Sequence, residues 1–124
     1  MRAKVVLLAA KQNTVLRGHP WIFPKAIART QGALITGQLV DIYSEQNELI
    51  GVGAFNEHSL YRVRVLSLAS DDIDSSSYRA LILARLQQAL CLRESINLPN
   101  DETSAYRLFN SEADGLSGLT IDRF

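Results

Sequence analysis

Arg17, Gly18 and His19, followed at once by Pro20, Trp21, Ile22, Phe23 and Pro24, put two basic groups and two large rings into one short turn. A guanidinium and an imidazole there could hold phosphate oxygens, and an exposed ring could stack on a base. Gly18 can take φ > 0 at little cost, and Pro20 pushes His19 towards extended geometry, so the chain bends and enters a strand at Trp21. The competing reading is a structural turn whose aromatics plug a small barrel, and the residues taken alone favour it. Arg62 and Arg64 are a second basic pair. On a strand they share one face about 7 Å apart, close to phosphate spacing, although such a pair is more often solvated surface.

Other chemistry is absent from the pattern. His19 and His58 have no evident nucleophile beside them in sequence. Glu112 and Asp114 could act as paired carboxylates but read better as a solvated acidic loop. No His-Glu-x-x-His or Cys-x-x-Cys spacing marks a metal site. Gly51-Val52-Gly53 lacks the third glycine and following helix of a dinucleotide loop, and Asp114-Gly115-x-x-Gly118 reads as a hairpin loop. Cys91, the single cysteine, is expected to be a small buried hydrophobe. No catalytic constellation and no metal site is expected.

The elements that must position these residues follow from hydrophobic period. Strands are expected over Lys4 to Ala9, Trp21 to Arg29 (weakened at Pro24), Gln38 to Tyr43, Leu49 to Phe55 and Tyr61 to Leu68, with one or two helical turns over Lys11 to Leu16. Val40 and Ile42 should face the core. Val63 and Val65 should face one way, and Arg62, Arg64 and Leu66 the other. Gly51 and Gly53 share a face and admit a close backbone or a ligand. Closely spaced short strands point to a small barrel or sandwich. Ser70 to Ser77 is an acidic, serine-rich joint offering N-caps. Tyr78 to Ile96 is the one long helix, with Tyr78, Ile82, Leu86, Ala89, Leu90 and Arg93 as its core stripe. Ala105 to Asn110 and Gly118 to Phe124 form a hairpin too small to make its own core, which suggests part of a larger domain.

With 124 residues, 47% hydrophobic and 21% charged, the composition is that of a globular protein with one modest core, or one core and an appendage. No apolar run is long enough to cross a bilayer, and Met1 to Ala10 lacks a signal-peptide cleavage pattern. A lone cysteine excludes an internal disulfide and fits a reducing, cytoplasmic location. The zero net charge hides an asymmetry. Residues 1–64 carry eight Lys/Arg against four acids, and residues 65–124 carry five against nine. Halves of opposite sign suggest two units with different tasks, the basic one compatible with a polyanion.

Three stretches carry a family resemblance: Leu16 to Phe23; Gly51 to Asn56 with Arg62 to Leu66; and Tyr106 to Phe124, the most specific. Together they resemble the opening third of the class I S-adenosylmethionine-dependent methyltransferases of large-subunit rRNA. The resemblance implies a mainly β fold with some α: a PUA-like pseudo-barrel over residues 1–70, then a linker helix and a truncated central domain over 71–124, its hairpin at 105–124. It implies RNA contact through Arg17, Gly18 and His19, with Lys25, Arg62 and Arg64 in support and Trp21 and Phe23 mainly structural. Ribosomal RNA is the implied partner, with no membrane partner. The implied role is to position substrate for a cytosine-5 methyltransferase whose catalytic domain and S-adenosylmethionine site lie outside this chain, leaving it with no catalytic residue, no cofactor and no activity of its own. The alternative is a protein-interaction module without RNA contact, forming a homodimer through Ile82, Leu86 and Leu90 and the hairpin edge.

Overall fold

The computed structural model describes residues 2–98, 100–102, 105–116 and 119–123. The chain divides into two compact units, Met1–Ser75 and Ser76–Phe124.

The first unit is built on a mixed sheet of six strands: β1 Lys4–Leu7, β2 Trp21–Ile22, β3 Ile27–Gln31, β4 Leu39–Tyr43, β5 Leu49–Phe55 and β6 Val63–Leu68, in the order β2-β6-β5-β4-β1-β3. All pairings are antiparallel except β1 with β4, where Val5 lies opposite Ile42. A short helix, α1 (Ala9–Leu16), joins β1 to β2. The core is apolar and β-branched, with Val5, Leu7, Ile22, Val40, Ile42 and Val63 almost wholly buried. Val40 and Ile42 point inward as their alternation requires.

The expected second strand is broken. Pro24 offers no N–H to a ladder and fixes its own φ, so the chain makes a 3₁₀ turn over Pro24–Ala26 before β3 begins. On β6 the expected alternation slips. Gly53 pairs with Val65 and Val52 with Ser67, so Leu66 is the extra residue of a bulge and turns inward, buried, while Val65 is only half-buried. The glycines of β5 serve the sheet itself. A Cβ on Gly51 would fall 2.2 Å from the Ser67 carbonyl oxygen, and one on Gly53 would fall 2.6 Å from that of Arg64. The β6 backbone therefore fills the space a ligand would need.

A tight loop joins β4 to β5. Buried Ser44 accepts the Glu48 N–H through Oγ at 3.1 Å, and Asn47 takes φ 63°. Arg2 ties the start of the chain to β4 and the joint. Its guanidinium meets Asp41 at 3.2 Å and donates to the Ser75 carbonyl.

The second unit holds α2 (Tyr78–Ser95) and an antiparallel hairpin of β7 (Tyr106–Asn110) and β8 (Thr120–Arg123). Ser77 caps α2, its Oγ accepting the Ala80 N–H at 3.1 Å. The expected core stripe holds only in part. Ala89 is buried as expected and Leu86 is half-buried, but Leu81, not in the expected stripe, is wholly buried, whereas Tyr78, Ile82 and Leu90 remain 38–39% exposed. Apolar residues at 81, 82, 83, 86, 90 and 92 spread over more than half of the helix circumference, so period alone does not select the inward line. That line also takes in Arg93. Its guanidinium grips Asp114 at 2.7 and 3.0 Å, and its Nε–H donates to the Arg107 carbonyl at 3.2 Å. Asp114, expected in a solvated loop, is thus a buried ion-pair partner, and it also accepts the Asn110 N–H at 2.7 Å. The Arg93 guanidinium holds its carboxyl below the usual carboxylate range, against the opposing effect of burial. Cys91 is exposed rather than buried, because its position lies off the Leu81–Ala89 line. Its Sγ receives a weak bond from the Gln87 amide at 3.7 Å. Gly118 and Phe124 of the expected second hairpin strand, and the side chain of Glu112, lie outside the described residues.

Candidate nucleic-acid interface

The turn after α1 is dictated residue by residue. The N–H of His19 reaches back to the Thr14 carbonyl at 3.2 Å, and the N–H of Gly18 reaches Val15 at 2.9 Å. These are the paired 6→1 and 5→2 bonds of a Schellman motif, with Gly18 at the left-handed position, φ +98°. A Cβ at Gly18 would meet nothing within 4 Å, so the glycine serves backbone conformation and not packing. Arg17, Gly18 and His19 are all exposed as a result.

The chain is then stapled to β6. The Pro20 carbonyl accepts the Val65 N–H at 2.7 Å, and Trp21 pairs with Arg64. Ile22 turns into the core at 1% exposure, so its neighbours Trp21 and Phe23 turn out of it. The indole stacks on Tyr61 with centroids 4.4 Å apart and planes 13° apart. Phe23 meets Tyr61 edge-on at 5.6 Å, and His19 meets Trp21 edge-on at 5.7 Å. Phe23 keeps 43% of its surface exposed. The Arg64 guanidinium lies 5.9 Å from the Tyr61 ring centroid.

His19 is oriented from inside the turn. The Trp21 N–H points to its Nδ1 at 3.3 Å, and the Trp21 carbonyl oxygen lies 3.2 Å from the same nitrogen. A neutral ring protonated on Nε2 accepts the first contact, and a ring protonated on Nδ1 donates to the second. Either way Trp21 fixes the imidazole close to its own ring.

His19 and Arg64 therefore meet around one aromatic cluster, with Arg17 and Gly18 on the adjoining turn. Lys25 is exposed on the 3₁₀ turn two residues after Phe23. Arg62 does not share a strand face with Arg64, because β6 begins only at Val63. It belongs to the preceding loop, half-buried, with its Nε–H donated to Ser59 at 3.3 Å and its own carbonyl taken by the Asn56 N–H. Tyr61, read from the sequence only as the first residue of a strand, is the centre of the cluster. Nothing in the sequence marked Tyr61 as the ring on which Trp21 and Phe23 converge. His58 is exposed in the same loop, its Nε2 3.2 Å from a Glu57 carboxylate oxygen.

The PUA-like domain profile matches residues 5–68. Over its whole length the chain is 38% identical to ribosomal RNA large subunit methyltransferase I of Alteromonas mediterranea and 36% identical to that of Vibrio vulnificus, covering 30% of each. The chain thus spans about a third of the length of the curated relatives it matches. A solved candidate SAM-dependent methyltransferase from Streptococcus mutans superimposes with TM-score 0.73 at 20% identity, over 100% of this chain and 31% of that one. The match over Val5 to Leu68, on the unit that carries the Schellman turn and the aromatic cluster, establishes that this chain belongs to the PUA-like domain family.

Proposed function

We propose that this chain is the RNA-binding, substrate-positioning portion of a large-subunit rRNA methyltransferase acting on cytosine C5 in the cytoplasm. In this reading residues 1–70 grip the RNA and residues 71–124 begin the part of the enzyme that leads to the chemistry. The observation that carries it is the placement of His19 and Arg64 around the Trp21–Tyr61 stack, with exposed Arg17 on the adjoining turn, in a PUA-like unit whose relatives are named as rRNA methyltransferases. Arg17, His19 and Arg64 contact phosphates, Gly18 sets the turn, and Lys25 and Arg62 extend the basic surface. Such contacts position RNA without reading its sequence.

S-adenosylmethionine is the methyl donor this reading implies. The residues present do not fit it: the nearest glycine-rich stretch, Gly51 to Gly53, is closed by the β6 backbone. On this reading the donor is held by a further part of the enzyme, and no methyl-transfer step is assigned to this chain. No helix among the described residues is long and apolar enough to cross a membrane.

The test is binding of the 124-residue chain to large-subunit rRNA fragments at low and at physiological salt. Binding that weakens steeply with salt supports the proposal, and no binding at low salt rejects it. A second reading, self-association through the α2 face of Ile82, Leu86 and Leu90, is favoured by the exposure of Ile82, Leu83 and Leu90 at 38, 56 and 39% on one side of the helix. Sedimentation equilibrium distinguishes it: a strict monomer at high concentration removes it.

A further inference from the structure

We propose that the Trp21–Tyr61–Phe23 cluster takes an unpaired nucleobase, so that the RNA engaged here is single-stranded or looped out rather than a continuous duplex. The inference rests on the RNA-binding reading above and adds the chemical class of the ligand.

Three observations carry it. First, the rings do not build the core. Ile22 fills that position at 1% exposure, and the core cluster of the first unit contains neither Trp21, Phe23 nor Tyr61. A large ring left 43% exposed at Phe23, beside two half-buried rings already in stacked and edge-on geometry, is an unfinished aromatic stack. Second, a nucleobase completes such a stack whatever its identity, because every base has a π-face. Third, the charge around the rings suits the backbone that would carry that base. Arg64 lies over Tyr61, Lys25 follows Phe23 by two residues, and Arg17 and His19 precede Trp21. A duplex keeps its bases stacked on one another and would offer these rings only sugar and phosphate.

Trp21 is the only tryptophan, so its emission reports the cluster directly. The 124-residue chain is titrated with a uridine homopolymer, with an abasic strand of the same phosphate count, and with a blunt RNA duplex. Affinity is followed by anisotropy and stacking by Trp21 emission. The base-bearing strand is expected to bind about 10-fold tighter than the abasic strand and to be the one that quenches Trp21 strongly. Phe23→Ala, at an exposed position, is expected to erase most of that preference. Arg17→Ala should weaken all three ligands alike. Equal affinity for base-bearing and abasic strands, with Trp21 emission unmoved, overturns the stacking site while leaving phosphate-mediated RNA binding standing. So does a preference that survives Phe23→Ala, and in either case the exposed rings are free to serve a protein partner. No binding of any of the three overturns the RNA-binding reading and this inference together.

Discussion

Asp114 holds Arg93 through both carboxylate oxygens, at 2.7 and 3.0 Å, with only 6% and 13% of the two side chains exposed. One interaction thereby joins the end of α2 to the turn between β7 and β8. Removing one partner leaves the other charge buried and uncompensated. Asp114→Asn is expected to destabilise the second unit by about 3 kcal/mol, read by urea denaturation.

The same pair fixes a pH dependence. Asp114 is held below its ordinary value in the folded state, so its contribution is fully present above its unfolded pKa of about 3.9 and is lost as pH falls through the lower folded value. Thermal melting of the second unit should be insensitive to this group above about pH 5 and should drop below about pH 4. In Asp114→Asn that part of the acid sensitivity should vanish.

Two glycines should respond to alanine for different reasons. Gly18 has open space around it and a φ of +98°, so Gly18→Ala should cost about 1–2 kcal/mol through backbone strain alone. At Gly53 the new Cβ would collide with the Arg64 carbonyl oxygen and with Val63 Cγ1, both at 2.6 Å. Gly53→Ala should cost about 3 kcal/mol and displace the backbone that carries Arg64. Melting temperatures compared at equal concentration check both.

Ser77→Ala removes the side-chain acceptor of the Ala80 N–H at the start of α2. A loss of about 1 kcal/mol is expected, with fraying confined to the first turn. Denaturation followed by far-UV circular dichroism measures it.

Arg17→Ala and Arg64→Ala should each lower RNA affinity without changing preference among RNA sequences. If each removes one phosphate contact to a single strand, the slope of log affinity against log salt should shrink by about 0.7 per variant. Salt titrations of the two variants and the parent chain provide the comparison.

Much of the first unit was legible because its strands are short, alternate cleanly and are punctuated by residues with few backbone options. Val40 and Ile42 face inward on period alone, and β5 runs over Leu49–Phe55 as read. What escaped reading depends on partners distant in sequence. The bulge that turns Leu66 inward is a property of the β5–β6 register, which the β6 residues do not encode by themselves. On α2, Ala89 and Arg93 were read onto the inward line, but Leu81 was not, and the acid that pairs with Arg93 lies 21 residues away. At the candidate interface the exposed turn was legible from Gly18 and Pro20. The role of Tyr61 was not, because a tyrosine at the head of a strand looks the same whether or not an indole lies on it.

The placement of β1 has a consequence for how the protein is made. Lys4–Leu7 is an inner strand, bordered by β3 on one side and by β4, running parallel, on the other. β1 must therefore wait, unsatisfied on one edge, until Tyr43 has been synthesised and has left the exit tunnel. Long-range pairing of this kind slows folding relative to a chain built from neighbouring hairpins. The nascent chain would thus expose an apolar segment, Val5 to Leu7, with one sheet edge unpaired until β4 emerges, which makes it a natural point for chaperone capture during translation.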